Sequence, residues 1–225
     1  MFRKFSPLVG GIACLFALSS YAGTVIQYGD NVTFSYDDTT LFGLGTVVGD
    51  NIFFVPEDFI SQSLNGDGLV ETFDTLDLQV VVTTEGFWLS DFAVAEQGDY
   101  QLFGSGASAS VSGDFTVTSN TSSFTDTNSF NAGPLTVQNA LTEWTANTGV
   151  NLSDTSGWGG DTDVNLSLYN LAATNTQALG EQAFLQKKIG GVAVMVSAIP
   201  VPAAVWMFGS GLIALFGWAG RRKLA

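Results

Sequence analysis

Histidine is absent from the 225 residues, and cysteine occurs once, at Cys14. Without histidine the chain lacks the commonest general base and metal ligand, and every Ser-His-Asp triad is excluded. One thiol cannot close an intrachain disulfide, so no disulfide framework holds the fold. Positive charge is scarce: 7 Lys and Arg stand against 21 Asp and Glu. All the acids fall between Asp30 and Glu181, a stretch with no Lys or Arg, and only Lys187 and Lys188 stand between Gly23 and Ile199. Such a body repels nucleic acid and anionic lipid and attracts cations and basic partners, so no nucleic-acid partner is expected. Self-repulsion that keeps an exported protein dispersed accounts for the same bias. An enzyme would have to work with carboxylates, a phenol such as Tyr169, or the two lysines.

Both ends of the chain differ from this middle. The N-terminus reads MFRKFSPLVGGIACLFALSSYAG: cations at Arg3 and Lys4, an apolar run from Leu8 to Leu18, then Ser20-Tyr21-Ala22. That order predicts a secretory signal over residues 1–22, cut by signal peptidase between Ala22 and Gly23. Cys14 lies within the apolar run, without the leucine three residues before it that a lipoprotein signal carries. The mature body would then contain no cysteine. The C-terminus reads IPVPAAVWMFGSGLIALFGWAGRRKLA from Ile199 to Ala225. Pro200 and Pro202 separate it from the body, and an uncharged segment over about residues 203–220 approaches the length that spans a bilayer. Trp206 and Trp218 stand near its ends, and Arg221, Arg222 and Lys223 form a stop-transfer cluster that keeps the C-terminus cytoplasmic.

The pattern Pro200-Val201-Pro202-Ala203-Ala204, then Trp206 and Phe208-Gly209-Ser210-Gly211-Leu212 with the basic end, resembles the PEP-CTERM sorting signal in its Val-Pro-x-Pro-Ala-Ala variety. The prolines stand here without the glutamate of Pro-Glu-Pro. The resemblance implies a Gram-negative, exopolysaccharide-producing host and an exosortase that reads the proline motif. It also implies a protein anchored in the inner membrane until processed, then placed at the cell surface or in the extracellular matrix. Glu96-Gln97-Gly98-Asp99-Tyr100 and Gln182-Ala183-Phe184-Leu185-Gln186-Lys187-Lys188 are similar to stretches in the β-rich ectodomains of that group.

Residues 23–198 have the composition of a β-protein, rich in Thr, Val, Phe, Ser, Gly and Asn. Runs expected as strands are Thr24–Tyr28, Val32–Tyr36, Leu41–Val48, Asn51–Val55, Leu76–Thr84, Phe87–Glu96, Asp99–Phe103, Ala107–Thr118, Thr125–Phe130, Glu143–Leu152, Val164–Ala172, Ala183–Lys188 and Gly191–Ser197. Without helical spacers the pairing is expected to be antiparallel, giving a β-sandwich or jelly-roll-like ectodomain between the signal helix and the transmembrane helix. In Ala107–Thr118 the alternation is clean, with Gly113 expected to break its phase. A short helix is expected around Pro56–Ser63 or Leu135–Glu143.

Three chemistries are open to the body. Ser63–Asp74 gathers Asn65, Asp67, Glu71 and Asp74, oxygen ligands suited to Ca²⁺, although Asn-Gly and Asp-Gly turns account for the same residues. In the loop Asp154–Asp163, Trp158 stands between glycines near Asp154, Asp161 and Asp163, as in a sugar-stacking site. A Trp folded back onto the sheet edge is the favoured reading of the same residues. A glycosidase would need two carboxylates in a cleft, and the sequence nominates no pair. The expectation is therefore an exported structural or adhesive β-sandwich without catalysis or a resident cofactor. A carbohydrate- or calcium-binding module is the alternative, with exopolysaccharide as a partner, and a carboxylate-based glycan-active enzyme comes third.

Overall fold

The computed structural model describes residues 23–122, 124–152, 158 and 160–198. The residues assigned to the signal, including Ala22, and to the sorting segment, including Pro200–Ala204, Trp206 and Arg221–Lys223, lie outside the described residues. Twelve strands make up the described chain: β1 Thr24–Tyr28, β2 Val32–Asp37, β3 Thr46–Val48, β4 Asn51–Phe54, β5 Ile60–Leu64, β6 Gly68–Val82, β7 Phe87–Phe103, β8 Ser108–Ser119, β9 Thr125–Asn131, β10 Leu141–Asn151, β11 Asp163–Thr176 and β12 Gln182–Ala198. Among the described residues no helix is long and apolar enough to cross a membrane.

The strands form two antiparallel six-stranded sheets. The first runs β1-β2-β6-β11-β8-β9, and the second β10-β7-β12-β4-β3. β5 joins the second sheet on β12, pairing with Gln182–Gln186, while β4 pairs further along with Gly190–Ala193. One core lies between the sheets. Phe34, Leu78, Val80, Phe115 and Leu168 enter it from the first sheet, and Ile52, Phe92, Leu102, Leu185 and Val192 from the second. The period of two in each strand makes this division: in β11 every even position from Val164 to Thr176 is buried.

Neither short helix expected from the sequence is present. Ile60–Leu64 is a strand because Ser61 and Ser63 alternate inward. Their hydroxyls meet those of Thr174 and Thr176, each at 2.8 Å, and donate to the carbonyls of Val70 and Gly68. The chain then reverses through Asn65-Gly66, both with positive φ, in a tight turn closed by the Asp67 N–H donating to the Leu64 carbonyl, and so passes from the second sheet to the first. Leu135–Glu143 is irregular up to the start of β10. The phase break expected at Gly113 is also absent. Gly113 keeps its inward place, because a Cβ there would stand 2.2 Å from the Tyr169 carbonyl oxygen and 2.4 Å from the Phe130 ring. It marks a close approach, not a change of face.

Two long strands each absorb two expected runs. β7 continues through Gln97-Gly98, and β12 through Lys187–Gly191. Between Lys187 and Ile189 the β12–β7 register shifts, so Lys188 is the extra residue of a bulge. Lys187 points into the core in phase with Ala183 and Leu185, Lys188 points out, and beyond the bulge the inward phase passes to Gly190, Val192 and Val194.

Candidate functional site: a lysine, a glutamate and an asparagine between the sheets

Three polar side chains occupy inward positions of otherwise apolar faces. Glu96 follows Phe92 and Val94 on β7, Asn170 follows Leu166 and Leu168 on β11, and Lys187 follows Ala183 and Leu185 on β12. They are 2%, 1% and 1% exposed, and they meet across the gap between the sheets. Lys187 Nζ lies 2.6 Å from Glu96 Oε1 and 2.7 Å from Asn170 Oδ1. Asn170 Nδ2 donates to the same Glu96 Oε1 at 2.9 Å. The other carboxylate oxygen, Oε2, is buried without a hydrogen-bond partner among the described residues.

The surroundings are buried and aromatic. Lys187 Nζ stands 4.5 Å from the centroid of the Phe42 ring and 5.2 Å from that of Phe59. The rings pack edge to face with centroids 5.7 Å apart. A negative ring face attracts a cation that has lost its water. Gly190 completes the wall, its Cβ position 3.4 Å from Lys187 Cε. Across the ladder Gly98 faces Lys187, and a Cβ there would lie 2.0 Å from the Gln186 carbonyl oxygen and 2.6 Å from Trp144 Nε1. That indole donates to the Gln186 carbonyl at 3.2 Å, so the site is sealed on this side by a tryptophan that only glycine admits. Burial pushes the Lys187 ammonium from 10.5 down to about 8, against the opposing pull of the Glu96 carboxylate.

What such an arrangement can do follows from its parts. An amine brought toward neutrality is a nucleophile, a carboxyl at hydrogen-bond distance can carry protons, and a carboxamide is an acyl group. The three stand together, each buried from bulk solvent. The sequence carried a signal for them: a charged or amide residue in phase with the apolar positions of an alternating strand. What the period cannot tell is which three strands face each other.

The residues singled out from the sequence stand elsewhere. Asn65 and Asp67 are in the β5–β6 turn, whereas Glu71 and Asp74 lie along β6, where four residues already span about 13 Å. Asn65 Oδ1 accepts from the Gly180 backbone N–H, and Asp74 from Leu41 and Thr75. The structure does not bring the four together, and among the described residues no cluster of three or more such side chains is placed to hold a metal. Trp158 folds onto the core: its indole N–H donates to the Leu89 carbonyl at 3.0 Å, and its ring meets Phe124 at 5.2 Å. Asp161 accepts from the Thr121 and Ser122 hydroxyls, and Asp163 from Gln79 and Asn120. Burial pushes the Asp161 carboxyl up, but the Ser119, Thr121 and Ser122 hydroxyls together outweigh it and hold the group below its ordinary 3.8. Asp154 lies outside the described residues.

A groove of about 500 Å³ runs over the outer face of the first sheet, lined by Thr24, Ser35, Asp37, Asp77, Gln79 and Asn165 among others. The Thr39 backbone N–H, 2.8 Å away, and the Thr39 hydroxyl hold the Asp37 carboxyl below its ordinary value. A general acid for glycoside cleavage needs the opposite shift.

No family model and no curated protein matches the chain. Among solved structures it is similar to a chain of the infectious bursal disease virus Gt strain, at 11% identity over 76% of this chain and 52% of that one, with a TM-score of 0.24. The chain thus spans about half the length of that neighbour, and a likeness of this size carries no functional argument.

Proposed function

We propose that the chain is an exported, exosortase-sorted protein of the cell envelope or extracellular matrix. Its body is a structural or adhesive β-sandwich without catalysis. The interior supports the structural reading: Glu96 and Lys187 of one sheet join Asn170 of the other, so polar chemistry is directed inward to couple the sheets. The export reading rests on the two terminal patterns. Ala22-Gly23 would be the signal peptidase site, and Pro200–Ala204 with Trp206 the exosortase motif. The segment over about 203–220, with Arg221, Arg222 and Lys223, would be the membrane anchor before processing. Deleting Pro200–Ala225 is expected to leave the body free in the periplasm of an exosortase-bearing Gram-negative host. Fractionation that finds its location unchanged would remove the sorting reading.

The groove on the first sheet favours the alternative, a carbohydrate-binding module, because its polar lining of hydroxyls, amides and carboxylates suits sugar hydroxyls. A glycan array probed with the Gly23–Ser197 fragment tests it. Selective binding would support it, and a blank array would leave the structural reading alone.

A further inference from the structure

We propose that Lys187 and Asn170 react with each other, forming an intramolecular amide bond between Nζ and Cγ and releasing ammonia, with Glu96 carrying the protons. The geometry points to it because one carboxylate oxygen serves both ends of the exchange. Glu96 Oε1 is 2.6 Å from the attacking nitrogen and 2.9 Å from the leaving one. The amine is 2.7 Å from Asn170 Oδ1, which makes Cγ its next neighbour. A small side-chain rotation converts this hydrogen bond into a near-attack arrangement, in which reacting atoms stand about 3–3.5 Å apart.

The steps balance without any further reagent. The Lys187 ammonium passes a proton to Glu96, leaving a neutral amine beside a neutral carboxyl. The Nζ lone pair adds to Asn170 Cγ, and the C=O electron pair moves to oxygen. Glu96 gives its proton to Nδ2 and takes one from Nζ. The Cγ–Nδ2 bond breaks, its electrons leaving with ammonia, and the carbonyl re-forms as a secondary amide. Glu96 ends as the carboxyl it was when the amine attacked. Escape of ammonia makes the product permanent.

The environment favours this outcome over a standing ion pair. All three groups are 2% exposed or less, so water neither competes for the acyl carbon nor solvates the charges. A buried pair must be fully satisfied to offset its desolvation, yet Glu96 Oε2 has no partner among the described residues. The phenylalanines hold the lysine head in place, and Gly190 leaves room for it. The product joins β11 of the first sheet to β12 of the second, 17 residues apart in sequence. It supplies the covalent staple that a chain with one cysteine cannot make.

The inference rests on the interior alone and stands whatever becomes of the sorting segment. Intact-mass and fragment spectra of the purified, denatured full chain test it. The expected mass is about 17 Da, one ammonia, below the sequence value of the terminal form isolated. A branched fragment should join the Asn170 and Lys187 segments. Linear fragments with free Lys187 and unmodified Asn170, from protein that melts cooperatively, would overturn the proposal. So would an ammonia loss that persists in Lys187→Met, because cyclisation at an Asn-Gly turn such as Asn65-Gly66 also releases ammonia. Glu96→Gln keeps the shape without the proton carrier and is expected to show the full mass. An undiminished cross-link in that variant would overturn the role given to Glu96.

Discussion

Lys187 and Lys188 are chain neighbours, each paired with an acid on β7, yet the pairs occupy different worlds. The Lys187–Glu96 pair is 2% and 0% exposed at its side chains, and the Lys188–Asp99 pair 50% and 16%. Outside, water screens the attraction and the pair adds little. Inside, the same chemistry becomes consequential: the charges are unscreened, the amine is drawn toward neutrality, and removing one partner strands the other. Burial, not pairing, makes the difference.

The comparison breaks most visibly at Lys187. Lys187→Ala removes the amine of the proposed cross-link to Asn170, and in any chain not yet joined leaves Glu96 buried without its counter-charge, so it is expected to cost at least about 3–5 kcal/mol in urea unfolding. An equal loss in Lys188→Ala would erase the distinction between the two sites. Next in size is Gly98→Val, which sets a side chain against the Gln186 carbonyl and Trp144. A loss of about 1–3 kcal/mol is expected, with a change in tryptophan fluorescence as the seal opens.

Acid sharpens the contrast in another way. Backbone N–H groups of Gln177 and Gly106 hold the Glu181 carboxyl below its ordinary 4.5, and the hydroxyls around Asp161 hold that one below 3.8. Because these folded values lie below the unfolded ones, their stabilisation is complete above about pH 4.5. It is lost as pH falls through the folded values. The melting temperature should therefore drop between pH 5 and 3, and Glu181→Gln should flatten part of that drop. The smallest effect belongs to the outer pair: Lys188→Ala is expected to cost no more than about 1 kcal/mol and to lose even that in high salt.

Much of the fold is legible in the order of residues. Thr24–Tyr28 is a strand with the limits that its alternation sets, and antiparallel pairing follows from the lack of helical spacers. Some strand limits come out wrong at glycine, while others differ for other reasons: β6 begins at Gly68 and not at Leu76, and β3 at Thr46 and not at Leu41. Gly98 and Gly190-Gly191 look like breaks in β7 and β12, but they sit mid-strand where Trp144, Lys187 and Phe53 come close. Gly113 misleads in the same way. The candidate site is half-visible: Glu96 and Lys187 both fall in stretches that the sequence marks, but Asn170 looks like one more polar strand residue. Only the packing of β11 against the β7–β12 face puts an acyl group beside an amine, and alternation is blind to long-range contact.

The bulge has a consequence for inheritance. Because positions 187 and 188 hold the same residue, losing either codon yields one and the same protein. In it β12 alternates plainly as far as Met195, with lysine still inward between Leu185 and Gly190. The doubled lysine thus gives this strand a spare letter, so the inner lysine survives a deletion that would turn other strands inside out.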